Sequence, residues 1–196
     1  MAYIGNKPAN KAVVASDLDP AVITGQTALA AAPASTDEFL ISDAGTLKRI
    51  DASLISGKNT PAFSAYLSSD QGSLSSNTDH KITINAEDFD TDGAFDHSSN
   101  YRLTPQTAGK YFFHGQIKCS ISTANDFVAK IKKNGSDTKN RRMENVDQDA
   151  VDVSCVLDMN GSSDYVELFG RYTNNAFNAV AESGVTTFFF GYRLIT

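Results

Sequence analysis

The chain has 196 residues, a formal net charge of −6 at pH 7 and only 20% charged residues. This length allows one sizeable domain with an extension, and the acidic balance argues against nucleic-acid binding, which needs a basic stripe. No apolar run approaches the roughly 20 residues of a membrane-spanning helix, and the chain start lacks an export signal. We therefore expect no membrane insertion. We expect Cys119 and Cys155 to be reduced, buried thiols, with a disulfide between them as the alternative.

The first part of the chain, residues 1–61, differs from the rest because small residues come in strings and apolar residues are scattered. Residues 37–50, DEFLISDAGTLKRI, predict a small hairpin with its turn at Asp43 to Gly45. The segment cannot bury enough apolar surface to fold alone. We expect it to be extended, and either disordered or ordered by neighbouring subunits or a larger assembly.

From residue 62 to residue 196 the pattern is strand after strand. Residues 111–121 alternate between apolar odd and mostly polar even positions, and residues 126–133 and 151–159 alternate as well. Asn134-Gly135 and Asn160-Gly161 predict turns. Several strands without a long helix predict an all-β antiparallel sandwich or jelly roll. The residues assigned to its core are Tyr111, Phe113, Ile117, Phe188, Phe190 and Tyr192.

The last predicted strand, residues 186–195, is apolar on both faces, with Phe188 and Phe190 on one face and Phe189 on the other. A strand that is apolar on both faces is typically buried on both. A two-layer sandwich covers only one face of each sheet. The second face therefore indicates contact with another subunit, or cover by an N-terminal segment of the same chain.

An acidic loop precedes the central strand, and Asp88, Asp90, Asp92 and Gly93 match the start of an EF-hand loop. The match ends there, because the last position is Ser99 instead of glutamate and the flanking residues favour strands. We expect a solvated turn between strands. Calcium at Asp88, Asp90 and Asp92 would be an optional surface feature, and we expect no required cofactor.

Catalytic motifs do not emerge from the sequence. The three histidines, His80, His97 and His114, share no motif with a nucleophile, and there is no G-x-S-x-G elbow. Asp147 and Asp149 could act as a glycosidase pair only if they faced a common groove. We expect a protein that is not an enzyme.

Five segments in order carry a resemblance over residues 63–195: FSA at 63–65, FDTDGAFD at 89–96, LTPQTAGKYFF at 103–113, GSSDYVEL at 161–168 and TFFFGY at 187–192. This region resembles the globular head of complement component 1q, within the tumour-necrosis-factor-like jelly-roll superfamily. The resemblance implies a jelly roll of about ten strands that packs as a homotrimer around aromatic residues. It implies positions on the trimer axis for Phe112 and Phe189. His114 and Val156 are further candidates for the trimer interface.

The start of the chain, MAYIGNKP at residues 1–8, resembles tail-fibre-type proteins of tailed bacteriophages, and GTLKRI at 45–50 is similar to phage fibre stalks. This resemblance implies a virion protein assembled in the host cytoplasm, anchored to other virion proteins through Tyr3 and Ile4. The head would present loops at residues 68–79, 140–148 and 174–183 to a host carbohydrate or outer-membrane receptor. The alternative is a capsid or collar decoration protein that only stabilises the particle.

Overall fold

A computed structural model of the protein describes residues 24–25, 27, 29–31, 33–34, 36–55, 60–120 and 125–194. The chain divides into two compact units, Met1–Ser56 and Gly57–Thr196. The sequence analysis placed this boundary after residue 61. The predicted anchoring residues Tyr3 and Ile4 lie outside the described residues. Within the described part, no helix is long and apolar enough to span a membrane.

The first unit contains one antiparallel hairpin, formed by β1 (Glu38–Asp43) and β2 (Thr46–Asp51). The two turn residues, Ala44 and Gly45, both have positive φ, at 49° and 82°. This is the backbone of the two-residue turns that match strand twist, so the predicted hairpin is confirmed. A single 3-10 turn, Ala52–Leu54, follows β2.

The second unit has thirteen strands within the described residues: β3 (Ala62–Tyr66), β4 (Gln71–Leu74), β5 (His80–Lys81), β6 (Ala86–Asp90), β7 (Phe95–Asp96), β8 (Arg102–Leu103), β9 (Gly109–Ser120), β10 (Asn125–Lys133), β11 (Ser136–Val146), β12 (Ala150–Met159), β13 (Val166–Tyr172), β14 (Phe177–Val180) and β15 (Phe188–Arg193). The predicted all-β class is confirmed. The count exceeds ten partly because β5, β7 and β8 are only two residues long.

These strands form two sheets. The first follows the order β4-β14-β9-β15-β3-β6, with β12 also paired to β9. The second follows the order β11-β10-β13-β8-β7, with β5 also paired to β13. Strand β9 is central to the first sheet, because β12 pairs along one of its edges while β15 and β14 share the other.

The core lies between the two sheets and reflects the alternation of β9. Tyr111, Phe113, Ile117 and Cys119 are buried, whereas the even-numbered side chains between them are not fully buried. Gly115 keeps this alternation without a side chain, because a Cβ there would lie 2.5 Å from Leu168 Cδ1 in the facing sheet. The bare glycine therefore lets β9 and β13 approach closely.

The two predicted Asn-Gly turns differ. Asn134-Gly135, with φ of 52° and 77°, closes the β10–β11 hairpin as expected. The second turn connects β12 in the first sheet to β13 in the second. There the Asn160 side-chain oxygen accepts hydrogen bonds from the backbone N–H groups of the next residues, Ser162 among them at 3.0 Å. Gly161 has a φ of 71°, and a Cβ on it would lie 2.3 Å from the Ala108 nitrogen.

The three loops expected to face a host each contain a strand. Residues 68–79 include β4, residues 174–183 include β14, and these two strands pair with each other. Residues 140–148 lie mostly in β11. The loop prediction was wrong for most of residues 140–148 and for the parts of the other two segments that form β4 and β14. Polar side chains on an exposed strand face hide the alternation that identifies a strand.

Candidate assembly surface

The outer face of the first sheet carries a group of ring side chains that we call the aromatic face: Phe112, His114, Phe188, Phe190 and Tyr192. They come from adjacent strands β9 and β15, where Tyr192 lies opposite Phe112 and Phe190 opposite His114. Directly opposed residues share a face of the sheet. Ring centroids lie 5.5 Å apart for Phe112 and Tyr192, and 5.1 Å apart for His114 and Phe190. All five residues are half-buried, so a continuous ring surface reaches solvent in the single chain.

Neighbouring strands widen this surface. Val156 in β12 lies opposite Phe112 and is 50% exposed. On the other side, Tyr66 in β3 lies opposite Phe188. The apolar surface therefore crosses four strands, β12, β9, β15 and β3. A contiguous exposed apolar patch of this kind marks an interaction site or an aggregation liability.

Charged pairs border the aromatic face. Lys110 and Asp158 pair across β9 and β12, with the ammonium nitrogen 2.7 Å from a carboxylate oxygen. Lys118 pairs with Glu182 near the opposite end of β9. An apolar, aromatic centre with a polar rim is the composition of protein–protein interfaces. Such exposed ion pairs add little stability of their own, so their role here is to delimit the apolar centre.

The structure corrects the assignment of the two faces of β15. Phe189, expected at the trimer interface, is fully buried between the sheets, with its ring centroid 5.3 Å from that of Phe63. Phe188, Phe190 and Tyr192, expected in the core, are half-buried on the outer face instead. The buried face of β15 therefore carries the single ring of Phe189, beside Gly191, whereas the outer face carries three rings.

Gly191 gives the physical reason for this reversal. It lies opposite Phe113, and a Cβ on Gly191 would lie 2.6 Å from Phe113 Cδ1. The glycine leaves room for the Phe113 ring in the core. The inner face of β15 consequently looks poor in apolar residues in the sequence, although it is the buried one. Phe112, His114 and Val156 do lie on the outer face, and their part in an interface remains a prediction.

The acidic loop forms a hydrogen-bonded turn. Asp88, within β6, accepts a hydrogen bond from the Ser64 hydroxyl at 2.8 Å. Asp90 accepts from the backbone N–H groups of Asp92 and Phe95, at 3.1 and 2.7 Å. Among the described residues, no three or more acidic, histidine or cysteine side chains form a group that could hold a metal ion. Calcium at Asp88, Asp90 and Asp92 remains an untested prediction.

No family model matches the sequence, and no curated protein matches it either. Among solved structures, murine APRIL at pH 8.0 aligns with a TM-score of 0.53 and 9% identity, covering 68% of this chain and 98% of that one. The globular domain of zebrafish complement 1qA gives 0.48 and 14%, covering 69% and 98%. The PRD1 vertex protein P5 gives 0.49 and 13%, covering 71% and 100%.

The likeness to murine APRIL concerns the fold, because identity at this level carries no information on ligands or assembly. Together with the two-sheet architecture, it shows a jelly-roll β-sandwich, so the predicted fold of the head is confirmed. The function must be argued from the surfaces of this chain.

Proposed function

We propose that the protein is a structural virion component of a bacteriophage: a homotrimeric fibre or spike that presents its jelly-roll head to a host surface. The aromatic face carries the assembly step, because one chain leaves it open to solvent. The virion assignment is supported by the likeness of residues 1–8 and 45–50 to phage fibre sequences. Attachment to other virion proteins is assigned to the first unit, with Tyr3 and Ile4 as the anchoring residues.

The physical case for self-association begins with the size of the rings. Phe and Tyr side chains dominate interface energetics when they are desolvated, and offset or tilted ring pairs add to that gain. The rings of Phe112 and Phe190 are already tilted by 47° at a centroid distance of 6.4 Å, so they present preformed edges and faces to a partner. A closed, symmetric assembly covers such a patch without leaving a second patch free.

The hairpin of the first unit supports a stalk role. Leu40 and Leu47 are 71% and 68% exposed, and Phe39 is 42% exposed. A two-stranded hairpin of this kind is marginally stable by itself in water. Its cross-strand ion pair, Arg49 with Glu38 at 2.5 Å, is also exposed. We assign its apolar side chains to contacts between copies of the hairpin.

Adhesion is the second part of the proposal. Three heads on one fibre bind a repetitive host surface with an avidity that exceeds the affinity of one site. A capsid or collar decoration protein would need the same aromatic face but no ligand site on the head. Binding of the labelled, purified protein to host cells distinguishes the two roles.

The test of assembly is the change Phe190→Asp. An unpaired carboxylate in a desolvated interface is costly, so we expect association at least about 100-fold weaker, as when a buried pair is broken. Light scattering after size exclusion should give three times the chain mass for the wild type and one chain mass for the variant. Far-ultraviolet circular dichroism should be unchanged.

The matched control is Val128→Asp. Val128 is half-buried in β10 and lies opposite Arg142 and Arg171 in the second sheet. The new carboxylate meets cations there, so this variant should remain trimeric. A wild-type protein that is a stable monomer at micromolar concentration would refute the assembly proposal.

A further inference from the structure

The head contains an open polar cleft of about 480 Å³, built from the β7–β8 region and from the turn after β12. Six of its polar lining residues are Asp96, Asn100, Arg102, Thr104, Gln106 and Ser162. The β7–β8 strands belong to the second sheet, whereas the aromatic face belongs to the first. The cleft is therefore a feature separate from the proposed assembly surface.

Among the described residues that line this cleft, Arg102 is the one cation. It lies directly opposite Asp96 in the β7–β8 pair, yet the two side chains form no ion pair. Its guanidinium carbon lies 4.1 Å from the centroid of the Tyr165 ring instead. Within the described residues, the guanidinium makes no ion pair or side-chain hydrogen bond. A planar cation stacked on an aromatic ring is thus held in place with its N–H donors unpaired.

Asp96 is occupied elsewhere. Its carboxylate accepts hydrogen bonds from the backbone N–H groups of Ser99 at 2.9 Å, Ser98 at 3.0 Å and Asn100 at 3.1 Å. The Asn100 amide also donates to it at 2.7 Å. These bonds, that from Ser99 foremost, hold the pKa of Asp96 well below its usual range. The carboxylate fixes the 96–100 turn and leaves the charge of Arg102 available.

The other polar residues that the structure describes in the lining are neutral. Thr104 and Ser162 contribute hydroxyl groups, and Gln106 contributes an amide that is exposed. Amide and hydroxyl groups can both donate to and accept from sugar hydroxyls. Gly161, which also lines the cleft, lies so close to the Ala108 backbone that a Cβ on it would be 2.3 Å from the Ala108 nitrogen. The turn after β12 is therefore closely packed against the chain that follows Gln106, and a preformed site loses less entropy on binding.

We propose that this cleft binds an anionic saccharide, a sugar unit whose carboxylate or phosphate pairs with Arg102 and whose hydroxyls bond to Gln106 and Ser162. Arginine suits both anions, because its N–H groups match the spacing of two oxygens. The inference rests on the proposed adhesive function and supplies its ligand class. Three such sites on one trimer allow weak single-site binding to hold a particle on a surface.

The test is to measure the binding of glucuronic acid, glucose 6-phosphate and glucose to the full-length protein by ligand-detected saturation-transfer NMR. At least one of the two anionic sugars should give a saturable signal. Comparing glucuronic acid with glucose 6-phosphate shows whether the cleft prefers a carboxylate or a phosphate. Glucose should bind more weakly. Arg102→Gln should weaken binding by about tenfold or more, since a charge-assisted hydrogen bond is lost.

The matched control is Arg142→Gln, which removes the same charge from β11, where Arg142 pairs with Asp126. It should leave sugar binding unchanged. Equal losses in both variants, equal binding of glucose and the anionic sugars, or no signal with either anion would each overturn the cleft proposal.

The inference and the adhesive function can fail separately. If Arg102→Gln remains trimeric and binds host cells like the wild type, the cleft is overturned as the adhesive site while adhesion stands. If the cleft binds an anionic sugar but the wild type does not bind host cells, the cleft proposal is supported and adhesion is overturned.

Discussion

The two sheets of the head share one core, but their outer faces differ. On the second sheet, Phe169 lies under the ammonium group of Lys132, 4.5 Å from the ring centroid. Lys130 and Lys132 each lie 2.8 Å from Asp79, and Lys81 lies 2.5 Å from the buried Glu167. Long charged side chains of the same chain thus cover that face.

The aromatic face of the first sheet has no such cover within the described residues. Its rings contact one another, as Phe112 does Tyr192 and His114 does Phe188. The two cation–π contacts of the described chain, at Tyr165 and Phe169, lie elsewhere. In the second sheet, charged side chains cover the apolar surface that faces solvent. The aromatic face of the first sheet lacks this cover, so we assign it to contact with a partner.

Truncating neighbouring rings on opposite faces of β15 should separate the buried face from the aromatic face with the largest effect. Phe189→Ala removes a buried ring between the sheets, and we expect the free energy of unfolding to fall by about 3–5 kcal/mol. Phe190→Ala removes a ring from the outer face. Chemical denaturation monitored by circular dichroism measures both.

Protein concentration separates the two causes. The loss in Phe189→Ala should be present at every concentration, because the ring stabilises each subunit. The loss in Phe190→Ala should grow with concentration, because a ring at a subunit interface acts through association. Equal, concentration-independent losses would show that Phe190 serves the core of its own chain.

Phe189 and Phe190 also show how much of the fold can be predicted from the sequence. Alternation in β9 identified Tyr111, Phe113 and Ile117 as inward-facing, because its outward positions include clearly polar side chains. In β15 both faces are aromatic, so alternation alone cannot orient the strand. The orientation depends on register: Phe190 is paired with His114, which alternation had already placed outward.

The cleft could not be foreseen at all. Its lining comes from residues 93–106 and 161–162, which a long stretch of chain separates. Arg102 looks like an ordinary partner for Asp96, and only the turn at Ser98 and Ser99 shows why that ion pair does not form. Local patterns predict the strands whose side chains alternate and the hairpin turns, whereas the use of a side chain depends on what its neighbours already bind.

A smaller loss of stability should follow from Asp79→Asn, which removes the negative charge that pairs with Lys130 and Lys132 on the second sheet. Burial raises the pKa of Asp79, but hydrogen bonds from Lys130 and Lys132 outweigh burial, so the net direction is down. Burial lowers the pKa of Lys130 and Lys132, but hydrogen bonds to Asp79 and Asp137 outweigh burial, so the pKa of both lysines is raised. We expect a loss of about 1–2 kcal/mol at neutral pH, as for a weakened charge-assisted hydrogen bond. Urea denaturation measures it.

The pH dependence follows from the signs. The lowered pKa of Asp79 contributes stability above its unfolded value of about 3.9, and this is lost as pH falls through the folded value. The raised pKa values of Lys130 and Lys132 contribute below about 10.4 and are lost at more alkaline pH. Asp79→Asn should flatten the dependence at both ends. The mass of the proposed trimer should not change, because charged side chains of the same chain already cover this face. A variant that dissociates would contradict that view.

The smallest expected effect concerns the rates at which buried and outward-facing thiols of the first sheet react with a disulfide reagent. Cys119 and Cys155 are free and buried, as predicted, and burial raises their pKa to about 12 and about 11. Because the thiolate is the reactive form, neither should react with a disulfide reagent at pH 8 until the protein unfolds.

Ser154→Cys adds a thiol beside Cys155 on the exposed side of β12, opposite His114. Combined with Phe190→Asp it should react rapidly. In the otherwise wild-type background it should react slowly, because a neighbouring subunit covers it in the proposed trimer. Equal rates in the two backgrounds would place the subunit contact away from the aromatic face.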